Sequence, residues 1–590
     1  MRNQRQAIRP YHFLQWFSIL PLMLLSTGLL HGQSTNVLTW RNDNRRDGRN
    51  STETTLTQAT VTSSNFGKIC STAPGAIDGQ IFAQPLVVTG SIPGYNHVVY
   101  VETQNDTVYF IDGDSANCAV IKQISLLQSQ EEPVQCHDVG GKDCFTVNPI
   151  IGILGTPVID TSTNTMYVES WTESTAGKCA TNKTRSCFSH HLHALDITSG
   201  AEKYHGPVTI PSVTIGESTF FPIKEIQRAG LLLLPRVEAN GHSAVYVAFS
   251  SMDGSGVLGK SIPNGWVFSF DAKNLSAAPV AWTTTPDGEG GGIWMSGAGL
   301  AAGVDKSGGN TYIYVATGDG TFDAENGGSD YGDSFVKLTT SLTVSDYFTP
   351  YNQYCDDIND VDLASGGVML IPNGTASNTI DFALANGKDG NIYVMDRANP
   401  GGYQGPNLNT CPTSGTNLNY ETFSASDKRF YSTGAFWNNH LYSVANGSPL
   451  RTYKISPSCD PAPICETPSG SSSIKFGYGP VPVISSHDNT TGTAIVWAIN
   501  GNGWPGPKPT LLPAPAVLYA FDAEHITAHT LPELWDSTQC PARDGAGNAT
   551  KFAVPTVANG RVFMGTMDPT DPTNTRGELD VYGVTSNPCN

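Results

Sequence analysis

The sequence predicts an all-β fold, an eight-bladed β-propeller of four-stranded antiparallel blades. Three observations carry this. A two-strand unit recurs eight times along the 590 residues. Glycine (61) and proline (38) are abundant, and only 14% of residues are charged, so the glutamate–lysine stretches of helical bundles are scarce. With 39% apolar residues the chain can bury a core, which excludes wholesale disorder.

In each unit a short apolar strand carries an aromatic residue, a Gly/Asp/Ser-rich turn follows, and a second strand ends near an Asp. The first copy is VVYVETQNDTVYFID, from Val98 to Asp112. The second begins MYVESWTES at Met166 and resumes, after a cysteine-bearing insertion, as HLHALDITSG from His191. AVYVAFSSMDG with GWVFSFDA (Ala244, Gly265) is the third, YIYVATGDG with DSFVKL (Tyr312, Asp333) the fourth, and FALANGKDGNIYVMDR (Phe382) the fifth. HLYSVANGSPLRTYKIS (His440), IVWAINGNG with VLYAFDA (Ile495, Val517) and RVFMGT with ELDVYGV (Arg561, Glu578) complete the eight. From Tyr100 to Phe563 the copies are spaced about 66 residues apart. Alternating Val, Ile and Tyr give period-2 strands, and the glycine-rich turns make hairpins. Preceding strands such as QPLVV at Gln84 and GTPVID at Gly155 bring each unit towards four strands. Such a sheet cannot bury both faces alone, so the units must stack around an axis. The repeats of a β-helix are usually much shorter.

The ends and the charge place the protein. Arg2, Arg5 and Arg9 precede an apolar run from Trp16 to Leu30, and polar Gly32 to Thr35 follow. Fifteen residues fall short of a bilayer core, so residues 1–32 read as a cleaved secretion signal, with an uncleaved anchor as the alternative. Residues 33–590 then form one propeller, with no membrane span after cleavage, in the periplasm or outside the cell. The 52 acidic against 33 basic residues leave a charge of −19, which argues against a nucleic-acid partner.

All twelve cysteines follow the signal, and Cys136/Cys144, Cys179/Cys187 and Cys459/Cys465 are close in sequence. In an oxidising compartment such pairs staple loops, each contributing about 2–3 kcal/mol. Connectivity is not fixed by sequence; Cys70–Cys118, Cys355–Cys411 and Cys540–Cys589 complete a consistent set. Eight Asn-x-Ser/Thr sequons, at Asn50, Asn105, Asn182, Asn274, Asn373, Asn446, Asn489 and Asn548, fit a secreted surface, and chance in an Asn/Thr-rich chain explains them equally well.

Several segments, in order, resemble the quinoprotein dehydrogenase propellers, which hold pyrroloquinoline quinone (PQQ) and a calcium ion on the axis. TWRNDNRRDGRNSTETTLTQATVTSSNFGK (Thr39 to Lys68) looks like their Trp-led opening segment, and HALDITSG like their AxDxxTG blade signature. EGGGIWMSG (Glu289 to Gly297) followed by YVATGDGTFD (Tyr314 to Asp323) resembles their GGGTxW…TGNGxxW pair. YFTPYNQYCDDINDVDLASGG (Tyr347 to Gly367) is similar to TPxDxWDxxA, and ANGKDGNIYVMDR (Ala385 to Arg397) to ANKNGxxYVLDR.

Carried over residue by residue, the resemblance implies an axial site. Trp294 would be the flat floor for the quinone; the plain alternative is a core Trp. Asp319 stands where the family has a calcium-ligating Asn, and a carboxylate is also a hard oxygen donor; otherwise it is a turn Asp. Asp362 matches the catalytic base that takes a proton from the substrate alcohol and lies beside the cation; otherwise it belongs to a solvated loop with Asp356, Asp357 and Asp360. Ala364 two positions on resembles the calcium-type enzymes. Lys388 matches the cation that holds the quinone oxygens, or is a turn lysine, and Glu173 is offset by one place from the remaining metal carboxylate.

The chain also departs from the family. The adjacent Cys-Cys pair over the quinone is missing; CHDVGGKDCF stands there. No CxxCH haem site occurs, so electrons would leave through a separate acceptor protein. The acidic loop with Asp319, Asp323, Asn326, Asp330 and Asp333 lacks the ordered positions of an EF-hand and reads as a solvated turn. His191 and His193 alternate on a strand and share a face; a surface strand accounts for them better than a metal pair. No GxSxG, HExxH or Walker motif is present. The expected function is therefore a PQQ/Ca²⁺-dependent oxidoreductase for a small alcohol or sugar. The alternative is a non-catalytic secreted propeller that binds a glycan or protein.

Overall fold

The computed structural model describes residues 35–139, 147, 149–251, 264–306, 309–372, 381–405, 410–412, 414–417, 419–459, 463–505, 512–587 and 589. The expected signal, Cys144 and the Asn373 sequon lie outside them. Eight antiparallel sheets follow one another as blades. Blade 1 runs Leu86–Thr89, His97–Thr103, Thr107–Asp112 and Val120–Ser125. Blades 4 and 5 keep the same simple order, from Ala301–Val304 to Val344–Phe348 and from Val368–Leu370 to Glu421–Ser424.

The last blade closes the circle. Thr556–Ala558, Arg561–Met567 and Gly577–Val584 come from the C-terminal end, and its fourth strand, Phe66–Ser71, comes from the N-terminal end. Cys70 pairs in register with Val581 and is disulfide-bonded to Cys118 of blade 1. The other described bridges are Cys179–Cys187, Cys355–Cys411, Cys459–Cys465 and Cys540–Cys589, the pairings expected from the sequence.

The repeated aromatic has a structural purpose. Tyr100, Tyr167, Tyr246 and Tyr442 sit in the second strands of blades 1, 2, 3 and 6, buried at the blade interfaces. Each hydroxyl donates to a carbonyl of the following blade, at Ile197, Ala272, Thr340 and Ala523, over 2.7–2.8 Å. The ring supplies apolar area and the hydroxyl fixes how neighbouring blades register.

Inside the circle the N-terminal segment forms a belt. Val37 exchanges backbone hydrogen bonds with Val87 in blade 1, and Leu38 O accepts from Ile159 in blade 2. Asn44 donates its side-chain amide to Leu233 O in blade 3 and accepts from Ala302 in blade 4. The carbonyls of Arg45, Asp47 and Gly48 accept from Leu370, Phe436 and Ile484 in blades 5, 6 and 7, and Asn50 donates to Val557 O in blade 8. The innermost strand of every blade would otherwise leave its inward edge unpaired, and the belt satisfies one after another. Arg41 and Arg46 are fully buried within it; burial pushes their guanidinium groups down to about 9 and about 10.

Blade 2 differs from expectation. His191 and His193 do share a face, with ring centroids 6.3 Å apart, but they are buried rather than on a surface strand. His191 Nε2 meets Glu131 Oε1 at 3.0 Å, and His193 Nδ1 meets Glu202 Oε1 at 2.6 Å. His190, on the other face, meets Glu169 Oε1 at 2.6 Å and stacks on Trp171. Alternation places residues on a face, and the carboxylates of neighbouring strands decide what covers it.

Blades 1 to 3 also bury Glu102, Asp106, Glu169 and Glu225. Burial pushes Glu102 up to about 8 and the other three well above the usual carboxylate range. An acid whose folded pKa lies above its unfolded value releases its proton earlier when unfolded, so stability falls as pH rises between the two. For Glu102 that window runs from 4.5 to about 8. Thermal melts should therefore show a lower Tm at pH 8 than at pH 5. Glu102→Gln should raise stability at pH 8, by something on the order of 4 kcal/mol, and change it little at pH 5. An equal effect at both pH values would contradict this origin.

Candidate functional site

The second strand of blade 4, Thr311–Ala316, ends at the axis and turns through Gly318 and Asp319. Gly318 N donates to Gly292 O over 3.0 Å, joining this turn to the glycine-rich run that leads into Trp294. A side chain at 318 is excluded, because a Cβ there would lie 2.5 Å from Asp362 Oδ1. That close approach lets Asp319 N donate to the same Oδ1 over 3.1 Å.

Asp362 precedes the single helical turn Leu363–Ser365 that opens blade 5, and its carbonyl accepts from Lys388 N over 3.0 Å. Lys388, from the turn after Phe382–Asn386, brings its ammonium onto both Asp362 and Asp360. Asp319, Asp360 and Asp362 each offer an oxygen, all within 4.8 Å of one another. Asp319 Oδ1 is buried without a hydrogen-bond partner. Below them Asp333 is fully buried, and its Oδ1 accepts from Leu363 N over 3.4 Å. The helix Gln353–Ile358 covers the cluster, with the Gln353 side chain donating to Gly320 O over 2.9 Å.

The electrostatics divide the acids. Burial, then the neighbouring Asp362, pushes Asp319 up to about 9. Burial and then Asp319 push Asp333 well above the usual range. For Asp362 burial also acts upward, but the Lys388 ammonium and the Asp319 N–H outweigh it and hold the group below the ordinary carboxylate range. Lys388 is in turn raised: burial works against its charge, and Asp362 and Asp360 more than offset that. The result is that Asp362 is held ionised by its cation, while Asp319 and Asp333 beside it favour the proton until a positive charge arrives.

Trp294 is half-buried and packs against an apolar cluster that includes Phe82, Trp171 and Ile223. Its turn is tied to that of Asp362, since Ser296 Oγ donates to Ser365 O over 2.7 Å. Met295 and Ser296 take positive φ (46° and 49°), the backbone reversal that returns the chain from the axis into blade 4. Glu173 is not brought into the cluster. It is buried at the end of Thr165–Ser174, and Lys183 from the cysteine-bearing insertion sits 3.1 Å from its Oε1. Burial still pushes Glu173 up to about 7.

Asp360, read from sequence as part of a solvated loop, is the third carboxylate; its spacing of two from Asp362 is the signal that could have found it. The expected solvated turn is also corrected, since Asp330 and Asp333 are each 1% exposed. Asp330 accepts from Asp287 N over 3.1 Å, so it braces the blade instead of facing water. The cluster's donors fit a hard divalent cation: three carboxylates within reach of one point, one with an orphaned buried oxygen. The fit to a planar quinone rests on the half-exposed Trp294 and on Lys388.

No protein-family profile matches the chain, and no curated protein matches it by sequence. Solved structures do. A quinohemoprotein alcohol dehydrogenase from Pseudomonas putida superposes with a TM-score of 0.56 at 14% identity, over 94% of this chain and 81% of that one. A europium-containing methanol dehydrogenase gives 0.49 at 14% identity, over 93% and 98%. BamB from Moraxella catarrhalis gives 0.42 at 11%, over 88% and 99%. Among the described residues no helix is long and apolar enough to cross a membrane. The chain is an eight-bladed β-propeller that shares its fold with the quinohemoprotein alcohol dehydrogenase.

Proposed function

We propose that this is an exported PQQ- and Ca²⁺-dependent oxidoreductase acting on the hydroxyl of an alcohol or sugar. The observation that carries the reading is the meeting of Asp319, Asp360 and Asp362 with Lys388 at the axis, beside the turn of Trp294. Asp319, Asp360 and Asp362 would hold the cation, and Trp294 and Lys388 the quinone. When bound, that pair supplies a two-electron acceptor and a Lewis acid. Asp362 takes the hydroxyl proton at its carboxylate, for which its ionised state is a requirement. Lys388 keeps that carboxylate charged and fixes its direction. The electrons leave through a separate acceptor protein.

The apoprotein mixed with PQQ and calcium should develop quinone absorbance and reduce a dye when an alcohol or sugar is added. Calcium alone should raise Tm, because it binds the folded state only, and Asp319→Ala should abolish the rise. One observation favours the second reading, a non-catalytic propeller that binds a glycan or protein: the Lys388 ammonium already neutralises part of the cluster. A calcium-dependent Tm with neither quinone absorbance nor dye reduction would favour that reading.

A further inference from the structure

We propose that the face of the propeller opposite the axial carboxylates carries a groove for a neutral saccharide, between the hairpin tips of blades 6 and 7. The proposal does not rest on the oxidoreductase reading.

The strand order sets the two sites apart. Asp319 and Lys388 lie in turns that follow the second strands of blades 4 and 5. Asn438 lies between the first and second strands of blade 6, Ala435–Trp437 and His440–Ser443. Asn489 lies between the first and second strands of blade 7, Val483–Ser485 and Ile495–Asn500, and Glu524 follows its third, Val517–Asp522. Successive strands of a blade run antiparallel, so the turns after first and third strands emerge at the end opposite those after second strands. The three turns of blades 6 and 7 line one cavity of about 530 Å³, a size that suits a small ligand.

The walls are fixed before any ligand arrives. The Trp437 indole N–H of blade 6 donates to Asp488 O of blade 7 over 3.0 Å. The Glu524 carboxylate accepts from the backbone N–H groups of Gly492, Thr493 and Ala494 over 2.9–3.0 Å. Asn438 and Asp488 hold positive φ, 43° and 47°, which sets both tips in tight turns. A groove whose walls are already bonded to one another loses little conformational entropy on binding.

The lining selects the ligand. Trp437, Ala523 and the half-buried Ile526 make an apolar floor. Around it, the side chains of Asn438, Ser469, Asn489 and Thr491 make no hydrogen bond among the described residues. His440 Nδ1 donates to Asn438 O over 3.0 Å, which leaves its Nε2 as an acceptor. Charge is consumed within the walls. No lysine or arginine is among the described residues that line the cavity, and its one carboxylate, Glu524, is committed to three N–H groups. An anion would find no counter-charge there, and a cation would have to compete with those N–H groups. A wholly apolar ligand would strip the amides and hydroxyls of water without replacing it. A pyranose matches on both counts, with a carbon–hydrogen face for the floor and a rim of hydroxyl groups for the amides.

Calorimetry on the full chain, without PQQ or calcium, tests the groove with glucose, galactose and N-acetylglucosamine. At least one should bind, about fivefold or more tightly than the charged sugars glucuronate and glucosamine. Asn438→Ala and Asn489→Ala should each weaken it by about tenfold with Tm unchanged, because neither amide has a partner in the fold. Asp362→Asn, on the other face, should leave the affinity as it is. Binding of none of the three, charged sugars bound as tightly, unaffected Asn438→Ala and Asn489→Ala variants, or a loss on Asp362→Asn would each overturn the groove. Maltohexaose against glucose, and chitohexaose against N-acetylglucosamine, separate the sources of the sugar. A tighter hexamer assigns a segment of polysaccharide, and equal affinities assign a free sugar; either result carries the proposal.

Discussion

Asp362→Asn should lower quinone-dependent dye reduction by about a thousandfold while leaving the propeller folded. On the proposed function the carboxylate takes the hydroxyl proton, and asparagine keeps its shape without its basicity. The Asp319 N–H that donates to Asp362 Oδ1 can still donate to an amide oxygen, so the turn should hold. Lys388 keeps Asp360 as a partner, which limits the loss of stability. Asp360→Asn is the control: it removes one cation ligand without removing the base, so it should weaken calcium binding more than turnover at saturating calcium. Steady-state rates at saturating calcium and PQQ decide the matter. An Asp362→Asn variant with a tenth of the normal rate or more would take the role of base away from this residue.

Arg46→Ala should destabilise the fold by about 3–5 kcal/mol. The Arg46 side chain is fully buried and donates to Leu300 O (2.9 Å), Thr39 Oγ1 (2.7 Å), Trp40 O (2.9 Å) and Leu231 O (3.2 Å). Truncation leaves these acceptors in blades 3 and 4 and in the belt without their donor, and opens a cavity on the axis. Arg45→Ala is the contrast. Its side chain is 43% exposed and pairs with Asp43, so the loss should stay within about 1 kcal/mol. Denaturant unfolding of both variants checks the difference, and similar midpoints for the two would show that the belt contributes little.

The blades were legible because a strand period of two and a recurring aromatic are local signals. Tyr100 and its counterparts announce themselves within ten residues of sequence, and their interface role follows from where a propeller must bury them. The belt was not legible. Its partners lie from 50 to more than 500 positions away, as with Asn50 and Val557, and they are backbone groups that leave no pattern in side chains. Trp294, Asp319, Asp362 and Lys388 came from resemblance, and the structure adds why the local chain suits them: glycine at 318 admits a carboxylate that any other residue would exclude. Glu173 followed a different course because the insertion after its strand supplies Lys183, and no spacing rule foretells where an insertion folds back. The buried imidazoles of blade 2 failed for a related reason, since Glu131 and Glu202 approach from separate segments.

The belt also sets the order of assembly. Residues 37–50 are synthesised before every blade they join, yet their eight successive partners end with Val557 of blade 8. The strand Phe66–Ser71 likewise waits for Gly577–Val584. A nascent chain that has produced only seven blades leaves the strand Phe66–Ser71 without its partner and a sheet edge open, both of which are sticky. Partial rings therefore stay open until blade 8 arrives, and closure is a late event with long loops to close. Such a chain needs protection from self-association for almost the whole of its synthesis, and fragments that stop short of blade 8 should collect as aggregates and not as smaller propellers.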